Sequence, residues 1–340
     1  MDYIQDYKQF GVIVLNKRIT LSQGAGGEHM DSFIKESILK YFIFDQDKST
    51  VSLSMLDDSA IIDNIVFSTD SHTVKPIKFP GGDLGKLAVA GTVNDIAVMG
   101  ATPLALSAGF IIEEGLLHHS YEEIVKSMAE TAQKAQTPII TGDTKVVEKG
   151  AIQEFMINTS GIGTRSPLLD SNLKEANRYR KVEQSWLQDN NLKPGDKLIL
   201  SGNIGEHGIA LMSFREGYGF ETQVISDVNP LNDLIQVALQ EGGVVAAKDP
   251  TRGGIANTLN EFSQKSQIGI SIQEESVPIP KGVQAACDLL GLDPLQIGNE
   301  GKVIFGVVKE KADEVLSIIK KHPSGKQATL LGEVTRSEEH

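Results

Sequence analysis

Acidic residues recur in this sequence directly after apolar, strand-like runs. Asp70 follows Phe67-Ser68-Thr69, and Asp143 follows Ile139-Ile140-Thr141-Gly142. A carboxylate in such a place is rarely there for packing, and several buried close together repel one another unless a cation lies between them. Carboxylate oxygens are hard ligands that suit Mg²⁺. The pattern predicts a magnesium site, and its candidate ligands are Asp57, Asp70, Asp95 and Asp143.

Two pairs of polar residues add to this site. Neighbouring residues of an extended chain face opposite ways, so Asp57 can bind a metal while Asp58 caps a turn; a solvated acidic turn is the alternative. Asn94 and Asp95 lie within the almost wholly apolar stretch 87–99, where a carboxylate needs a cation or several donors. We expect Asp95 to bind metal and take part in catalysis, and Asp58 and Asn94 to bind the nucleotide.

Glycine-rich turns that contain lysine accompany these acids and favour a nucleoside triphosphate bound together with the metal. Gly24-Ala25-Gly26-Gly27 precedes a predicted helix, where Gly26 and Gly27 would let backbone N–H groups approach a phosphate. An ordinary glycine turn is the alternative. The stretch 81–87, which contains Lys86, resembles a phosphate-binding Walker A loop. It is one residue short, however, and has leucine where that motif needs Ser or Thr.

A third motif lies in the middle of the chain, where Thr141-Gly142-Asp143-Thr144-Lys145 follows a short apolar strand. A metal-binding carboxylate with an ammonium group two residues later suits nucleotide chemistry. We therefore expect Thr141 to bind the nucleotide and Lys145 to steady the transferring phosphoryl group in catalysis. A surface ion pair between Asp143 and Lys145 is the alternative.

The second half of the chain adds two candidates. The motif 248–254 begins a helix, and Arg252 among the helix N-terminal amides suits an anion, although simple N-capping also explains the motif. Glu300 comes just before a predicted strand and is the candidate catalytic acid or base, with a turn residue as the alternative. His72 and His207 lie near motifs and are second-tier candidates, because single histidines are more often structural.

The composition limits the possible functions. The 340 residues suggest roughly two domains. A net charge of −13 argues against a nucleic-acid partner, because no basic stripe is available. No apolar run approaches the roughly 20 residues that cross a bilayer, so no membrane association is expected. The single cysteine, Cys287, excludes a disulfide framework, and the polar, acidic N-terminus is unlike a signal peptide. A cytoplasmic protein is therefore expected.

The elements that must position these residues alternate between strand and helix in both halves, which predicts two mixed α/β domains. Apolar spacing predicts helices over 28–41, 84–99 and 120–136, the last with Ser120 as N-cap and Glu123 completing a capping box. Strands are predicted over 61–69, 104–112, 138–141 and 152–162. The predicted organisation is an N-terminal extension (1–18), an ATP-binding domain (19–165), a linker or insertion (166–195) and a C-terminal α+β domain (196–335).

The motifs, in this order, resemble those of the HypE family of hydrogenase maturation proteins. The most specific are the stretch 79–101, which includes Val93-Asn94-Asp95, and the stretch 141–147. The segments 68–74, 205–210, 248–254 and 299–302 agree with them. The resemblance runs from about residue 19 to residue 335. It distinguishes the chain from wider relatives of the superfamily, namely aminoimidazole ribonucleotide synthetase, selenophosphate synthetase and thiamine-monophosphate kinase.

The resemblance implies a homodimer with the aminoimidazole ribonucleotide synthetase-like architecture, whose N-terminal domains form a barrel across the dimer. ATP and Mg²⁺ would lie in a cleft between the two domains. In this family the carbamoyltransferase HypF places a carbamoyl group on a C-terminal cysteine, and ATP-dependent dehydration converts the S-carboxamide into a thiocyanate. The cyanide then passes to iron on a HypC–HypD complex, for the [NiFe]-hydrogenase centre.

Two other functions stay open at this point. A small-molecule kinase or ligase of the superfamily would need no terminal cysteine, and a nucleotide-binding scaffold would bind ATP without turnover. Family members end in Pro-Arg-Ile-Cys, whereas this sequence ends in Ser337-Glu338-Glu339-His340. We therefore expect the chain, with this sequence, to bind ATP and Mg²⁺ without carrying a cyano group. Cys287, in a helix of core-like composition, does not replace a mobile terminal thiol.

Overall fold

An apolar helix, α2 (Leu84–Val98), packs against the main sheet of the first domain and matches the helix predicted over 84–99. Asp83 begins it by accepting a hydrogen bond from the backbone N–H of Lys86 (2.9 Å). Only Lys86 and Asp95 among its residues are not buried, so the helix must be covered on nearly every side. The computed structural model describes residues 18–42, 48–214 and 223–337. Most of the predicted N-terminal extension lies outside these ranges.

The first domain contains helix α1 (Gly27–Ile34), strands β1 (Ser49–Val51), β2 (Ala60–Ile62), β3 (Ile65–His72), β4 (Lys78–Phe79), β5 (Gly82–Asp83) and β6 (Ala101–Glu113), helix α3 (His118–Lys134), and strands β7 (Ile139–Val147) and β8 (Phe155–Arg165). Six strands form one sheet in the order β1-β2-β3-β8-β6-β7. Neighbours are antiparallel except β6 and β7. Because that pair is parallel, it needs a crossover, which α3 supplies.

The two faces of this sheet differ in burial, because successive side chains of a strand point to opposite faces. Val66 and Ser68 of β3 face α2 and are buried, whereas Phe67, between them, is 45% exposed. Phe67 pairs across the sheet with Ile162 of β8, which is 38% exposed. Apolar side chains therefore line up across neighbouring strands on the face opposite α2.

The second domain contains strand β9 (Lys197–Leu200), helices α5 (Glu206–Phe214) and α6 (Asn232–Glu241), strand β10 (Val244–Lys248), helix α7 (Gly254–Ser266), strand β11 (Gly269–Ile272), helix α8 (Lys281–Leu290), strand β12 (Ile304–Val307), helix α9 (Ala312–Lys321) and strand β13 (Thr329–Thr335). Its sheet has the order β10-β12-β9-β13-β11, with antiparallel neighbours. One apolar core, which includes Ile96, Leu234 and Phe305, joins the two domains.

The segment 166–195, predicted as a linker or insertion, is folded into that core. Helix α4 (Leu169–Ala176) buries Leu173 and both of its end residues at helical spacing. Trp186 and Leu187 are buried in the same core. Asp170, Ser171 and Lys174 of α4 face solvent, whereas the polar Asn172 is buried with the apolar positions. Polar residues on both faces therefore mask the helical period in the sequence. The segment is therefore part of the structure that positions the site.

Two predicted elements of the first domain differ from the observed ones. The predicted strand 61–69 is a hairpin of β2 and β3, joined by Asp63 and Asn64 with φ of 49° and 62°. Such left-handed pairs match the twist of two-residue hairpins. Helix α3 begins after the extended Leu117, and not at the predicted N-cap Ser120.

The predicted capping-box residue Glu123 pairs with Lys78 instead.

Strand β10 was not predicted. All of its residues are buried, so its sequence does not alternate between apolar and polar residues. Cys287 is buried in α8 against Ile209 and Ile297, as expected of a packed thiol. No helix within the described ranges is long and apolar enough to cross a membrane.

Candidate active site

A cleft of about 510 Å³ lies between the two domains. Residues of β3 and α2 line it from the first domain, and the segment that leads into α7 lines it from the second. The start of α1 contributes to the same lining. Eight residues that the sequence predicts for the site are brought together here: Gly26, Gly27, Asp57, Asp58, Asp70, Asp95, Arg252 and Glu300.

Carboxylates from both domains face this cleft. Ser68 donates a hydrogen bond through Oγ to Oδ2 of Asp95 (2.8 Å) and orients it. Burial, followed by the charges of Asp70 and Asp249, raises the pKa of Asp95 well above its usual value. Burial and then Asp249 raise the pKa of Glu300 in the same way. Each of these acids is therefore costly to ionise without a cation nearby.

A second group of acids lies at the Asp57–Asp58 turn. Burial and then Asp189 raise the pKa of Asp57 to about 6, and burial raises the pKa of Asp58 well above its usual value. Carboxylate oxygens of Asp57, Asp58 and Asp189 lie within 4.8 Å of one another. Asp58 Oδ2 and Asp189 Oδ1 are buried without a hydrogen-bond partner. Such hard, incompletely satisfied oxygen donors fit Mg²⁺.

Two lysines balance part of this negative charge. Nζ of Lys248, which is 5% exposed, donates to Asp58 Oδ1 (2.8 Å) and Asp189 Oδ2 (3.0 Å) and lies 3.1 Å from Glu261 Oε2. Lys265 Nζ also donates to Asp189 Oδ2 (2.6 Å). Burial lowers the pKa of Lys248, but Asp189 and Asp58 outweigh it and raise that pKa well above its usual value. The lysine is therefore held charged within the protein.

Three charged residues of this group were not predicted from the sequence: Asp189, Lys248 and Lys265. Asp189 lies in a polar run within the predicted linker, and no local pattern distinguishes it from a surface residue. The available signal was the apolar pair Trp186-Leu187 just before it, since these residues are buried and carry Asp189 inward. Lys248 belongs to the motif that begins α7, but its charge partners come from distant parts of the chain.

The glycine turn before α1 packs directly against the start of α7. Gly26 and Gly27 have φ of 86° and 69°, a region that glycine adopts without strain. A Cβ at position 26 would lie 3.2 Å from Arg252 Cβ. Both helix starts line the cleft, and their free backbone N–H groups and partial positive charge favour an anion. The arrangement suits a phosphate group beside Arg252.

Asn94, predicted to bind the nucleotide, has a different position and does not line the cleft. It is completely buried, and its Oδ1 accepts a hydrogen bond from the backbone N–H of Leu231 (2.8 Å). Its Nδ2 donates to the backbone oxygens of Asn229 (3.2 Å) and Glu300 (3.5 Å). Asn94 therefore connects α2 to the second domain, behind Glu300. Its amide bonds to backbone groups, and not to the nucleotide as predicted from the sequence.

Lys86, another predicted nucleotide-binding residue, also lies outside the cleft lining. Its Nζ donates to the backbone oxygen of Gly81 (2.8 Å). Burial and then the charge of Lys134 lower the pKa of Lys86. The resemblance of 81–87 to a phosphate-binding loop therefore has no counterpart in the fold, because this segment forms a hairpin and the N-cap of α2.

Thr141, Asp143 and Lys145 are not among the residues that line this cleft. The strand predicted to end at Thr141 continues to Val147, which places all three within β7 at the edge of the sheet. Asp143 pairs with Gly109, which pairs in turn with Asn158 of β8. Asp70 pairs with the next residue of β8, so alternation puts Asp143 and Asp70 on opposite faces.

The two histidines near the motifs are largely buried. His72 lines the cleft, with Nε2 3.9 Å from Asp70 Oδ2, and burial lowers its pKa. His207 Nδ1 lies 2.8 Å from Ser226 Oγ, and its ring meets Phe79 edge-on. His207 thus contributes to packing at the cleft wall, as predicted for a structural histidine.

Comparison with known families accounts for both domains. The AIR synthase related protein N-terminal domain matches residues 56–165, and the AIR synthase related protein C-terminal domain matches residues 193–340. The two matches agree with the two-domain α+β architecture that the sequence predicts. The segment that carries Asp189 lies between them.

Individual relatives decide the family. A putative hydrogenase expression/formation protein of Methanocaldococcus jannaschii is 49% identical over 94% of this chain and 91% of its own length. The carbamoyl dehydratase HypE of Rhizobium leguminosarum bv. viciae is 44% identical over 96% of this chain and 89% of its own length. The chain belongs to the HypE family. The resemblance stated from the motifs is thereby confirmed.

Solved structures agree with this HypE assignment. A chain in the crystal structure of a HypE–HypF complex matches with a TM-score of 0.80 and 44% identity, over 90% of this chain and 94% of that one. The crystal structure of a HypE protein in complex with ATP matches with a TM-score of 0.73 and 39% identity, over 93% of this chain and 89% of that one.

Proposed function

We propose that this HypE-family chain is an ATP-dependent carbamoyl dehydratase. It converts a protein-bound S-carboxamide into a thiocyanate and so supplies cyanide for the iron centre of a [NiFe]-hydrogenase. The name of the relatives and the ATP complex of a HypE protein support this function. The observation that carries it is the convergence, in one interdomain cleft, of partly or fully buried carboxylates from both domains with two helix N-termini. The small-molecule kinase and the scaffold are not favoured, because relatives are named as dehydratases.

The acids of the cleft are suited to hold Mg²⁺. We assign four partly buried carboxylates of the cleft lining to it: Asp57, Asp58, Asp70 and Asp95. Burial raises the pKa of Asp57, Asp58 and Asp95, so a nearby cation would favour their ionised forms. A bound Mg²⁺ would neutralise phosphate charge and orient the triphosphate. The backbone N–H groups around Gly26 and Gly27 and the guanidinium of Arg252 would then bind phosphate oxygens.

The reaction must activate a poor leaving group, the carboxamide oxygen. In the proposed sequence this oxygen attacks the γ-phosphorus of ATP, a C–O–P linkage forms and ADP leaves. Loss of the N–H protons and cleavage of the C–O bond then release phosphate and leave a carbon–nitrogen triple bond. Glu300 is the proposed acceptor of an N–H proton, because its carboxylate lies in the cleft and a raised pKa makes it a stronger base. Asn94 holds the Glu300 backbone from behind.

A homodimer is part of the proposal, and the exposed apolar face that includes Phe67 and Ile162 supports it. Thr141, Asp143 and Lys145 lie on this same face by strand register. We therefore propose that they act in the cleft of the partner protomer. Mixing a Lys145→Ala variant with an Asp95→Asn variant should then restore activity, because half of the mixed dimers' sites keep both residues. Absence of any recovery in confirmed mixed dimers would place these residues outside both clefts.

The partners follow from the same function. HypF would supply the carbamoyl group, in line with the solved HypE–HypF complex. A HypC–HypD complex would receive the cyanide, and a cytoplasmic location is expected for all of them. These assignments are testable by co-purification of the chain with each partner.

The proposed activity is tested by incubating the chain with ATP, Mg²⁺ and a peptide that ends in Pro-Arg-Ile-Cys and carries the S-carboxamide. Mass spectrometry should show ATP-dependent loss of one water molecule from the peptide, and the Asp95→Asn variant should abolish it. Hydrolysis of ATP with no change in peptide mass would contradict the dehydratase assignment.

A further inference from the structure

The segment between the two domains supplies a buried carboxylate, Asp189, beside the metal-binding acids. Asp189 is 1% exposed, and its backbone oxygen accepts a hydrogen bond from Ser266 Oγ (2.6 Å). Asn191, two residues later, donates to the backbone oxygens of Trp186 (2.8 Å) and Val245 (3.0 Å). The short turn that carries Asp189 is thereby fixed to both the core and α7.

Asp189 is the shared partner of two ammonium groups that hold the Asp57–Asp58 turn from two sides. Lys265 bridges Asp189 to the backbone oxygen of Leu56 (2.6 Å to each), just before Asp57. Lys248 bridges Asp189 to the side chain of Asp58. The backbone and a side chain of the turn are thus each connected to Asp189 through one lysine.

We propose that Asp189 is a positioning residue that keeps Lys248 and Lys265 from competing with Mg²⁺ for Asp57 and Asp58; this rests on the proposed Mg²⁺–nucleotide site. The reason is the local charge balance. With Asp189 present, the two ammonium groups share four nearby carboxylates: Asp57, Asp58, Asp189 and Glu261. Without its charge, Lys248 loses one of three partners and draws more strongly on Asp58, which Mg²⁺ must then displace.

The isosteric change Asp189→Asn removes the charge and keeps the shape. Binding of a non-hydrolysable ATP analogue is measured by calorimetry at increasing Mg²⁺ concentration, so the readout is independent of turnover. The half-saturating Mg²⁺ concentration should rise about tenfold, the low end for residues that orient metal ligands. The double variant Asp189→Asn/Lys265→Met restores the original net charge. Its half-saturating Mg²⁺ concentration should be close to that of the wild type.

Asp196→Asn is the matched control. Asp196 is also buried and pairs with Arg180 through both of its oxygens, but unlike Asp189 it is not grouped with Asp57 and Asp58. Its loss should lower thermal stability without moving the Mg²⁺ dependence. If Asp189→Asn does not fold, Lys265→Met alone replaces it. This change should lower the half-saturating Mg²⁺ concentration, because Lys248 and Lys265 share Asp189 Oδ2, and Lys248 alone would pair more fully with Asp189 and draw less on Asp58.

Several results would overturn the proposal. If Asp189→Asn or Lys265→Met leaves the half-saturating Mg²⁺ concentration unchanged while the wild type binds normally, the positioning role is refuted. The proposed metal–nucleotide site is not affected by that result. A double variant as impaired as Asp189→Asn would instead make Asp189 a direct metal ligand and also refute it. If the wild type itself binds the analogue without any dependence on Mg²⁺, the proposed metal–nucleotide site fails, and the role of Asp189 fails with it.

Discussion

Replacement of Asn94 by alanine tests how the first domain holds the part of the second domain that carries Glu300. The amide of Asn94 is completely buried and makes two well-formed hydrogen bonds, to the N–H of Leu231 and the oxygen of Asn229. Each such bond contributes about 1 kcal/mol, and a buried group left without a partner costs about 1–3 kcal/mol. We expect Asn94→Ala to lower the free energy of unfolding by about 3 kcal/mol, measured by urea denaturation.

Activity should fall as well, because the backbone of Glu300 loses its contact with Asn94. Asn172 provides the matched control: it is equally buried, and its amide exchanges two hydrogen bonds with Val244 (2.7 and 2.9 Å), outside the cleft lining. Asn172→Ala should lose similar stability while kcat stays near the wild-type value. Wild-type stability in Asn94→Ala, or equal kcat in the two variants under folding conditions, would refute this reasoning.

Three further predictions address the acids and the dimer. Asp95→Asn should weaken Mg²⁺–ATP binding more than about tenfold in calorimetry. The melting temperature of the metal-free protein should stay the same or rise, because a repulsive carboxylate is gone. An unchanged affinity for Mg²⁺–ATP would remove Asp95 from the metal site. The pKa of Asp57 rises from 3.8 to about 6 on folding. Protonated Asp57 therefore stabilises the metal-free protein below about pH 4, and roughly 3 kcal/mol of this stability is lost as the pH rises through 6. Mg²⁺ should reduce that loss in thermal melts from pH 4 to 7, and equal pH profiles with and without Mg²⁺ would contradict this. Phe67→Glu should convert a dimer into monomers in sedimentation, because it charges the exposed sheet face, and a stable Phe67→Glu dimer would place the interface elsewhere.

Local sequence signals identified the parts of the site that depend on short-range pattern. The apolar stretch around Asp95 predicts a buried helix, and a carboxylate inside such a helix is conspicuous. Gly26 and Gly27 before a helix are likewise local features, and both line the cleft. In these cases the chemistry and the element that carries it lie within a few residues of each other.

Other parts of the site depend on contacts that a local pattern does not contain. Asp189 lies beside Asp57 and Asp58 only because Trp186 and Leu187 enter a core built by both domains. Asp143 and Lys145 were assigned to a strand end, but the strand continues, and alternation turns them to the opposite face. Whether an amide such as Asn94 meets a ligand or a backbone group is likewise decided by long-range packing.

The most direct test of the central claim follows the oxygen atom of the substrate. The S-carboxamide is prepared with a heavy oxygen isotope and incubated with the chain, ATP and Mg²⁺. If the cleft activates the carboxamide by phosphorylating its oxygen, the heavy isotope must appear in the released inorganic phosphate, in step with thiocyanate formation. Thiocyanate formation with unlabelled phosphate would contradict the account.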